Sequence, residues 1–444
     1  MRSVHLACVS LLLVVSPAFA QTPPAPPPPA PADPANTPAP APAPVDAAPP
    51  APAPPPPPPP APPPEPAAAP LPAAAAPPVT DGPRPAPAGG LKLETASSSV
   101  KIGFLLQPAF EVVGSPSPAL DSATANLFVR RVRLLVGGTL FKDFEYFFDT
   151  DYPDLFKAPA TTGTKNTPGL NVQDAYGTWK AVGDMLKVDL GYMLPPLNHN
   201  AVQGATTLYG WDYFANSFRH SAAFNSSGNP IGRDAGLQLR GLLLDGLLEY
   251  RLGVFQGRRN EASATQVGSR NMFRLAGRVQ VNLLDPEPGF FYAGTYLGAK
   301  KIVSIGGSFD FQDSYKRFAG DVFVDLPLGD GVFTAQVNVV HADGDDFLVT
   351  AAMPPVAALP RHTALMGEVG YLFDAVNLSP IVRFEKRWET AADPTTSETR
   401  FGGGLAFWPY GHNVNLKAFY QRVMLAPADY GYNQFNLQTQ FFVF

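Results

Sequence analysis

The sequence predicts an all-β fold, a transmembrane antiparallel β-barrel of about sixteen strands preceded by a disordered Pro/Ala-rich segment. Three observations carry this reading. The N-terminus has the anatomy of a secretory signal, the region beyond residue 91 alternates apolar and polar residues in short runs, and the connections between those runs segregate by length.

Residues 1–20 come first. Arg2 precedes a mostly apolar run from Val4 to Val15, Pro17 breaks it, and Ala18-Phe19-Ala20 supplies a small-residue cleavage site before Gln21. That is the pattern of a signal peptide. The run is shorter than the ~20 residues a spanning helix requires, so a membrane-embedded mature chain crosses with strands. The single cysteine, Cys8, falls inside the signal, and the mature protein is expected to carry no thiol or disulfide chemistry.

Residues 21–90 are almost wholly Pro and Ala, with Asp33, Asp46, Glu65, Asp81 and Arg84 as their charges. Such a segment buries no core. In the polyproline II conformation, at ~3.1 Å per residue, about 70 residues extend on the order of 200 Å. This fits a periplasmic spacer that contacts the cell wall, and equally a passive tail.

Residues 91–444 form the expected barrel domain. Strand-like runs fall near 100–113, 126–140, 143–151, 171–181, 186–194, 234–244, 247–257, 271–283, 299–311, 315–326, 331–342, 362–373, 378–388, 398–408, 412–424 and 434–444. Most match the ~9–11 residues with which a tilted strand crosses a bilayer. Connections after even-numbered runs are short: Phe141-Lys142, Gly183-Asp184, Asp245-Gly246, 285–288, 328–330, 374–377 and 409–411. Those after odd-numbered runs are mostly long, including 152–170, 195–233, 258–270, 343–361 and 389–397. Short periplasmic turns and long external loops give this parity.

Within the runs, a wall with lipid on one side and water on the other demands period two. Val132, Leu134 and Val136 oppose Arg131 and Arg133; Leu237 and Leu239 oppose Asp234, Gln238 and Arg240. Tyr250, Leu252 and Val254 oppose Glu249 and Arg251, while Val279 and Val281 oppose Arg274, Arg278, Gln280 and Asn282. Arginine on the lipid face at mid-membrane costs ~2–4 kcal/mol, so these arginines are expected in the lumen. Phe141, Phe144, Tyr176, Trp179, Tyr192, Trp388, Trp408, Tyr410 and Tyr420 are candidates for the interfacial aromatic girdles.

Several stretches then resemble a known family. Phe128 to Leu140 (FVRRVRLLVGGTL) with Phe144 to Asp151 (FEYFFDTD), Gln173 to Trp179 (QDAYGTW), Val188 to Gly191 (VDLG) with Pro195 after it, and Gly232 to Gly241 (GRDAGLQLRG) resemble the phosphate-selective porin O and P family in order and spacing. The resemblance implies a trimeric, sixteen-stranded porin whose third external loop folds inward and whose basic residues attract anions. Residues 195–233 hold that loop position and are the longest connection. They contain no lysine; the constriction candidates are the cations Arg219 and Arg233, with His199 and His220 as titratable partners and Asp212 opposing them.

The expected function is passive diffusion of small hydrophilic solutes through the outer membrane of a Gram-negative-type bacterium, with anions or phosphate preferred. Arg131, Arg133, Arg240, Arg274 and Arg278 are the pore-lining, anion-contacting candidates, since charge rings select by sign. Carboxylates such as Asp149, Asp174, Asp310, Asp321 and Glu368 share the lumen, and pairing with them would make the arginines wall residues. A structural or wall-tethering barrel with little channel activity is the alternative. A formal charge of −5 without polybasic runs gives no sign of a nucleic-acid partner, and none is expected. No cofactor or metal is expected: Asp343 to Asp346 reads as an acidic loop, the histidines lack metal-ligand spacing, and His220-Ser221 lacks a nucleophile turn or acid partner.

Overall fold

The computed structural model describes residues 89–115, 122–159, 163–217, 232–258, 273–349, 357–389, 397–426 and 430–444. The expected signal peptide and residues 21–88 lie outside the described residues, as do Arg219 and His220.

Strand β1 (Leu91–Glu94) is a four-residue piece paired with the start of β2 (Ser98–Val113). From there the wall runs through β3 (Thr124–Leu140), β4 (Phe144–Asp151), β5 (Asn171–Val182), β6 (Leu186–Met193), β7 (Asp234–Leu243), β8 (Leu248–Phe255) and β9 (Arg274–Asn282). It continues through β10 (Ile302–Gln312), β11 (Tyr315–Pro327), β12 (Gly331–Val349), β13 (Ala357–Phe373), β14 (Leu378–Glu389), β15 (Ser397–Tyr410), β16 (Val414–Ala426) and β17 (Tyr430–Val443). Every consecutive pair is antiparallel, and β17 returns to β2 through pairs such as Leu437 with Phe110. Of the seventeen described strands, β1 is an appendage, which leaves sixteen in a closed ring. Closure leaves the ring no free edge to template aggregation.

The burial pattern is inverted relative to a soluble protein. Leu237, Leu252, Val254 and Val279 are 41%, 45%, 44% and 52% exposed, whereas their neighbours Gln238, Arg251 and Arg278 are 0%, 3% and 2% exposed. Apolar side chains face outward and polar ones inward, which is the arrangement a lipid surround stabilises. Phe141, Phe144, Trp179, Trp388, Tyr410 and Tyr420 lie exposed on the outer surface, with Phe144 stacked on Trp179. Two expected girdle aromatics instead point inward. Tyr176 stacks on Phe290 inside the ring, and fully buried Trp408 donates its indole N–H to Ser379 Oγ at 3.0 Å. A buried indole needs such an acceptor, and the lumen supplies one.

Turns on one rim are tight. Phe141 and Lys142 both take left-handed φ, 50° and 66°, the mirror-turn geometry that matches strand twist. One expected turn on this rim is corrected. The connection between β9 and β10 is not confined to 285–288; it spans 283–301 and folds into the ring, so the ninth wall strand begins at Ile302 rather than at residue 299. Conversely, β10 and β11 are joined on the long-loop rim by Asp313 and Ser314 alone.

The register of β2 against β3 shifts between Gln107 and Pro108, leaving Arg130 as an extra residue on β3. Proline has no N–H to give the ladder, and a bulge accommodates that loss. The bulge breaks the period-two rule locally, so consecutive residues Arg130 and Arg131 both reach inward.

Candidate functional site

The lumen is the site, and its wall is built from charge pairs. Arg133 reaches Asp149 and Asp151 at 3.4 and 3.0 Å, Arg240 reaches Asp189 at 2.8 Å, and Arg274 meets Asp310 at 2.6 Å with Asp234 at 3.4 Å. Arg278 bonds Asp321 through both terminal nitrogens, each at 2.7 Å. That last pair joins β9 to β11 across the intervening β10, and it passes over Gly306. A Cβ there would lie 2.3 Å from Arg278 Nη2 and 2.7 Å from Asp321 Oδ1, so the missing side chain makes room for the bridge. All five arginines expected to contact anions therefore project inward, and all five meet carboxylates.

Two inserts occupy the space these side chains enclose. The first is residues 194–217, the greater described part of the long connection between β6 and β7, which contains the one-turn helix α1 (His199–Val202). Its backbone is held by inward side chains from around the ring. Gln107 and Gln440 donate to Ala205 O and Thr206 O, Arg278 to Leu197 O, and Lys417 to Leu208 O and Gly210 O. In return the Ala215 N–H donates to Glu385, and those of His199 and Asn200 to Asp321 and Asn338. A short irregular segment at membrane depth must satisfy its polar backbone within the protein, and these partners do so.

Asp212 accepts from Arg130 Nε at 2.8 Å and Arg131 Nη2 at 2.7 Å, the latter stacked near Tyr213. Burial opposes ionisation of this carboxyl, but the two guanidiniums outweigh it and hold it well below the usual carboxylate range. The expectation that Asp212 opposes Arg233 is corrected: Arg233 sits on Asp174 of the wall at 3.1 Å, and the adjacent arginines of the β3 bulge take Asp212. Alternation placed Arg130 on the outer face. Pro108, on the neighbouring strand, is the sequence signal that marks the bulge.

The second insert is residues 283–301. Pro288 O accepts from Arg240 at 3.2 Å, and Phe290 O and Gly289 O accept from Arg251 at 2.7 and 3.1 Å. Phe290 stacks on Tyr176 with ring centroids 4.4 Å apart, and Phe291 meets Phe147 edge-on. Leu194, Leu197, Ala201 and Val202 of the first connection pack with Phe290 and Tyr292 of the second against Met193, Phe255 and Ala276 of the wall. Burying each large side chain of this cluster contributes roughly 1.5–3 kcal/mol.

The two inserts meet at His199. Its Nε2 lies 3.0 Å from Glu287 Oε2, and Gln203 Nε2 lies 3.1 Å from Nδ1. An amide nitrogen only donates, so Nδ1 accepts and Nε2 carries the proton given to Glu287. The imidazole stacks between Tyr292 and Phe323 at 4.7 and 4.3 Å. Glu287 also accepts from Tyr296 Oη at 2.7 Å and Gln280 Nε2 at 3.1 Å. Burial again opposes ionisation, while His199 and these donors hold the carboxyl below its ordinary range. Sequence reading took His199 as a titratable partner of the loop cations and missed the second insert altogether.

No protein-family model matches this chain, and no curated protein matches it. Solved structures do. The outer membrane channel DcaP of Acinetobacter baumannii shares a TM-score of 0.50 at 10% identity, covering 80% of this chain and 99% of that one. OmpF of Salmonella typhi, in complex with daunomycin, gives 0.48 at 12% identity over 79% and 100%. A BenF-like porin from Pseudomonas fluorescens gives 0.44 at 10% identity over 78% and 98%. At 10% identity the first of these matches establishes the fold alone: this chain has the closed sixteen-stranded barrel fold of that outer-membrane channel, with its burial inverted.

Proposed function

We propose that the protein is an outer-membrane channel for passive diffusion of small hydrophilic solutes, with anions preferred through its lumen arginines. The observation that carries this is the closed ring whose outward face is apolar and whose inward face is a lattice of arginines and carboxylates. A wall of that kind hydrates a path through the membrane and gives it a field. Phosphate as one of the anions and a trimeric assembly follow from the resemblance of the β3–β4 hairpin and the Gly232 to Gly241 stretch. Residues 21–90, by composition, supply a periplasmic spacer able to contact the cell wall.

The test is ion current across a planar bilayer holding the purified mature chain. Discrete steps are expected from the chain or from a form in which residues 284–300 are replaced by a short turn; silence from both overturns the reading. Arg131→Ser with Arg133→Ser should lower the anion-to-cation permeability ratio obtained from reversal potentials. An unchanged ratio would make both arginines wall residues without a role in selectivity.

A further inference from the structure

We propose that residues 283–301 are the movable leaf of a gate, which closes the lumen against the fixed leaf formed by 194–217 and opens by withdrawing toward the short-turn rim. The inference rests on the channel reading above.

The leaves enter from opposite rims and join through their backbones. The Tyr292 N–H donates to Val202 O at 3.1 Å, the Gly204 N–H to Tyr292 O at 2.9 Å, and the Gly294 N–H to Thr207 O at 3.1 Å. Gln203 and Tyr292 thereby form a parallel bridge, a seam crossing the inside of the ring. Beside the seam, the His199–Glu287 contact latches one leaf to the other. Around it the inward side chains are withdrawn from solvent: Asp189, Arg274, Gln280, Asp310, Asp325 and Asn338 are each 0% exposed. Charged and amide groups of this kind line a water path only when what covers them has moved.

Both leaves are anchored to the wall, and surplus length identifies the one that moves. Residues 194–217 are bonded to β2, β3, β9, β11, β12, β14, β16 and β17. Residues 283–301 are held by β6, β7, β8 and β9 through Lys187, Arg240, Arg251 and Gln280, by β11 and β12 through Asp325 and Thr334, and by the β15–β16 turn through His412. The other turns on their rim, such as 183–185 and 328–330, show that a few residues suffice to reverse the chain. The surplus length therefore serves something other than connecting β9 to β10. Pro286 and Pro288 stiffen one end, and Gly298, at φ 85°, gives the other a conformation open to glycine.

Withdrawal would free Arg240 and Arg251 from the carbonyls of Pro288, Gly289 and Phe290. It would also leave Tyr176 and Phe147 facing the lumen.

Planar-bilayer recording of three forms tests the gate: the mature chain, the chain with 284–300 replaced by Gly-Asn, and Gln203→Cys with Tyr292→Cys. Cys8, the only cysteine of the sequence, lies in the expected signal, so the engineered pair has no competitor. Shortening should raise the mean current per inserted channel by roughly tenfold or more, equivalent to about 1.4 kcal/mol of lost closed-state stabilisation. The double cysteine form should be silent when oxidised and should recover the parent's current on reduction. Equal current before and after reduction, or a shortened form no more conductive than the parent, overturns the gate while leaving a channel. Silence of all three forms, reduced and oxidised, overturns the channel reading itself.

Discussion

Asp212 shows how much a single lumen residue holds together. It bonds the two consecutive arginines of the β3 bulge to the inward connection, and its carboxyl is held ionised by them. Asp212→Asn leaves Arg130 and Arg131 facing a neutral amide, and removing one partner of a buried pair costs about 3–5 kcal/mol. Since folding lowers this carboxyl's pKa, the contribution is full above the ordinary carboxylate value near ~4 and fades as pH falls through the folded value. Urea unfolding in lipid vesicles should therefore separate the variant from the parent at pH 7 and bring the two together in acid. A gap that persists at low pH would assign the loss to packing. At this scale the sequence was legible wherever alternation held: Arg133, Arg240, Arg274 and Arg278 all point inward. Arg130 was hidden because a bulge is decided by two strands at once, and Pro108 and Arg130 lie far apart in sequence.

Among elements, the strands read well and the connections read unevenly. Period two is imposed residue by residue by the two solvents, so β7, β8 and β9 could be faced correctly without knowing their neighbours. Lipid-face assignment is tested by Leu252→Arg, which places a guanidinium outward in mid-strand. A loss of ~2–4 kcal/mol in vesicle refolding is expected, against a smaller loss for Leu252→Ala. Equal effects of the two would mean that Leu252 does not face lipid. Residues 283–301 escaped sequence reading for a physical reason. Their polar partners are arginines on β7 and β8 and a histidine from the other insert, and nothing local in Pro286, Glu287 or Phe290 reveals that these partners converge. The hairpin logic of tight turns accounts for Asp285 to Pro288 just as well until the third dimension is known. Trp408 and Tyr176 were misplaced likewise, because an aromatic suits a membrane interface and a covered lumen equally.

For the whole molecule, one arrangement accounts for every element: sixteen strands close, lipid meets the apolar face, and charge pairs with two inserts occupy the inside. The architecture was legible because strand number, parity of loop length and alternation are all written along the chain. What fills the ring was not, since it depends on contacts between segments close to one hundred residues apart, as between Val202 and Tyr292. The most direct test is a nitroxide scan of single cysteines from Leu248 to Phe255 in lipid vesicles, measuring collision with oxygen, which concentrates in lipid. Collision should rise at 250, 252 and 254 and fall at 249, 251, 253 and 255. A flat profile, or one with the opposite phase, would contradict the inverted barrel.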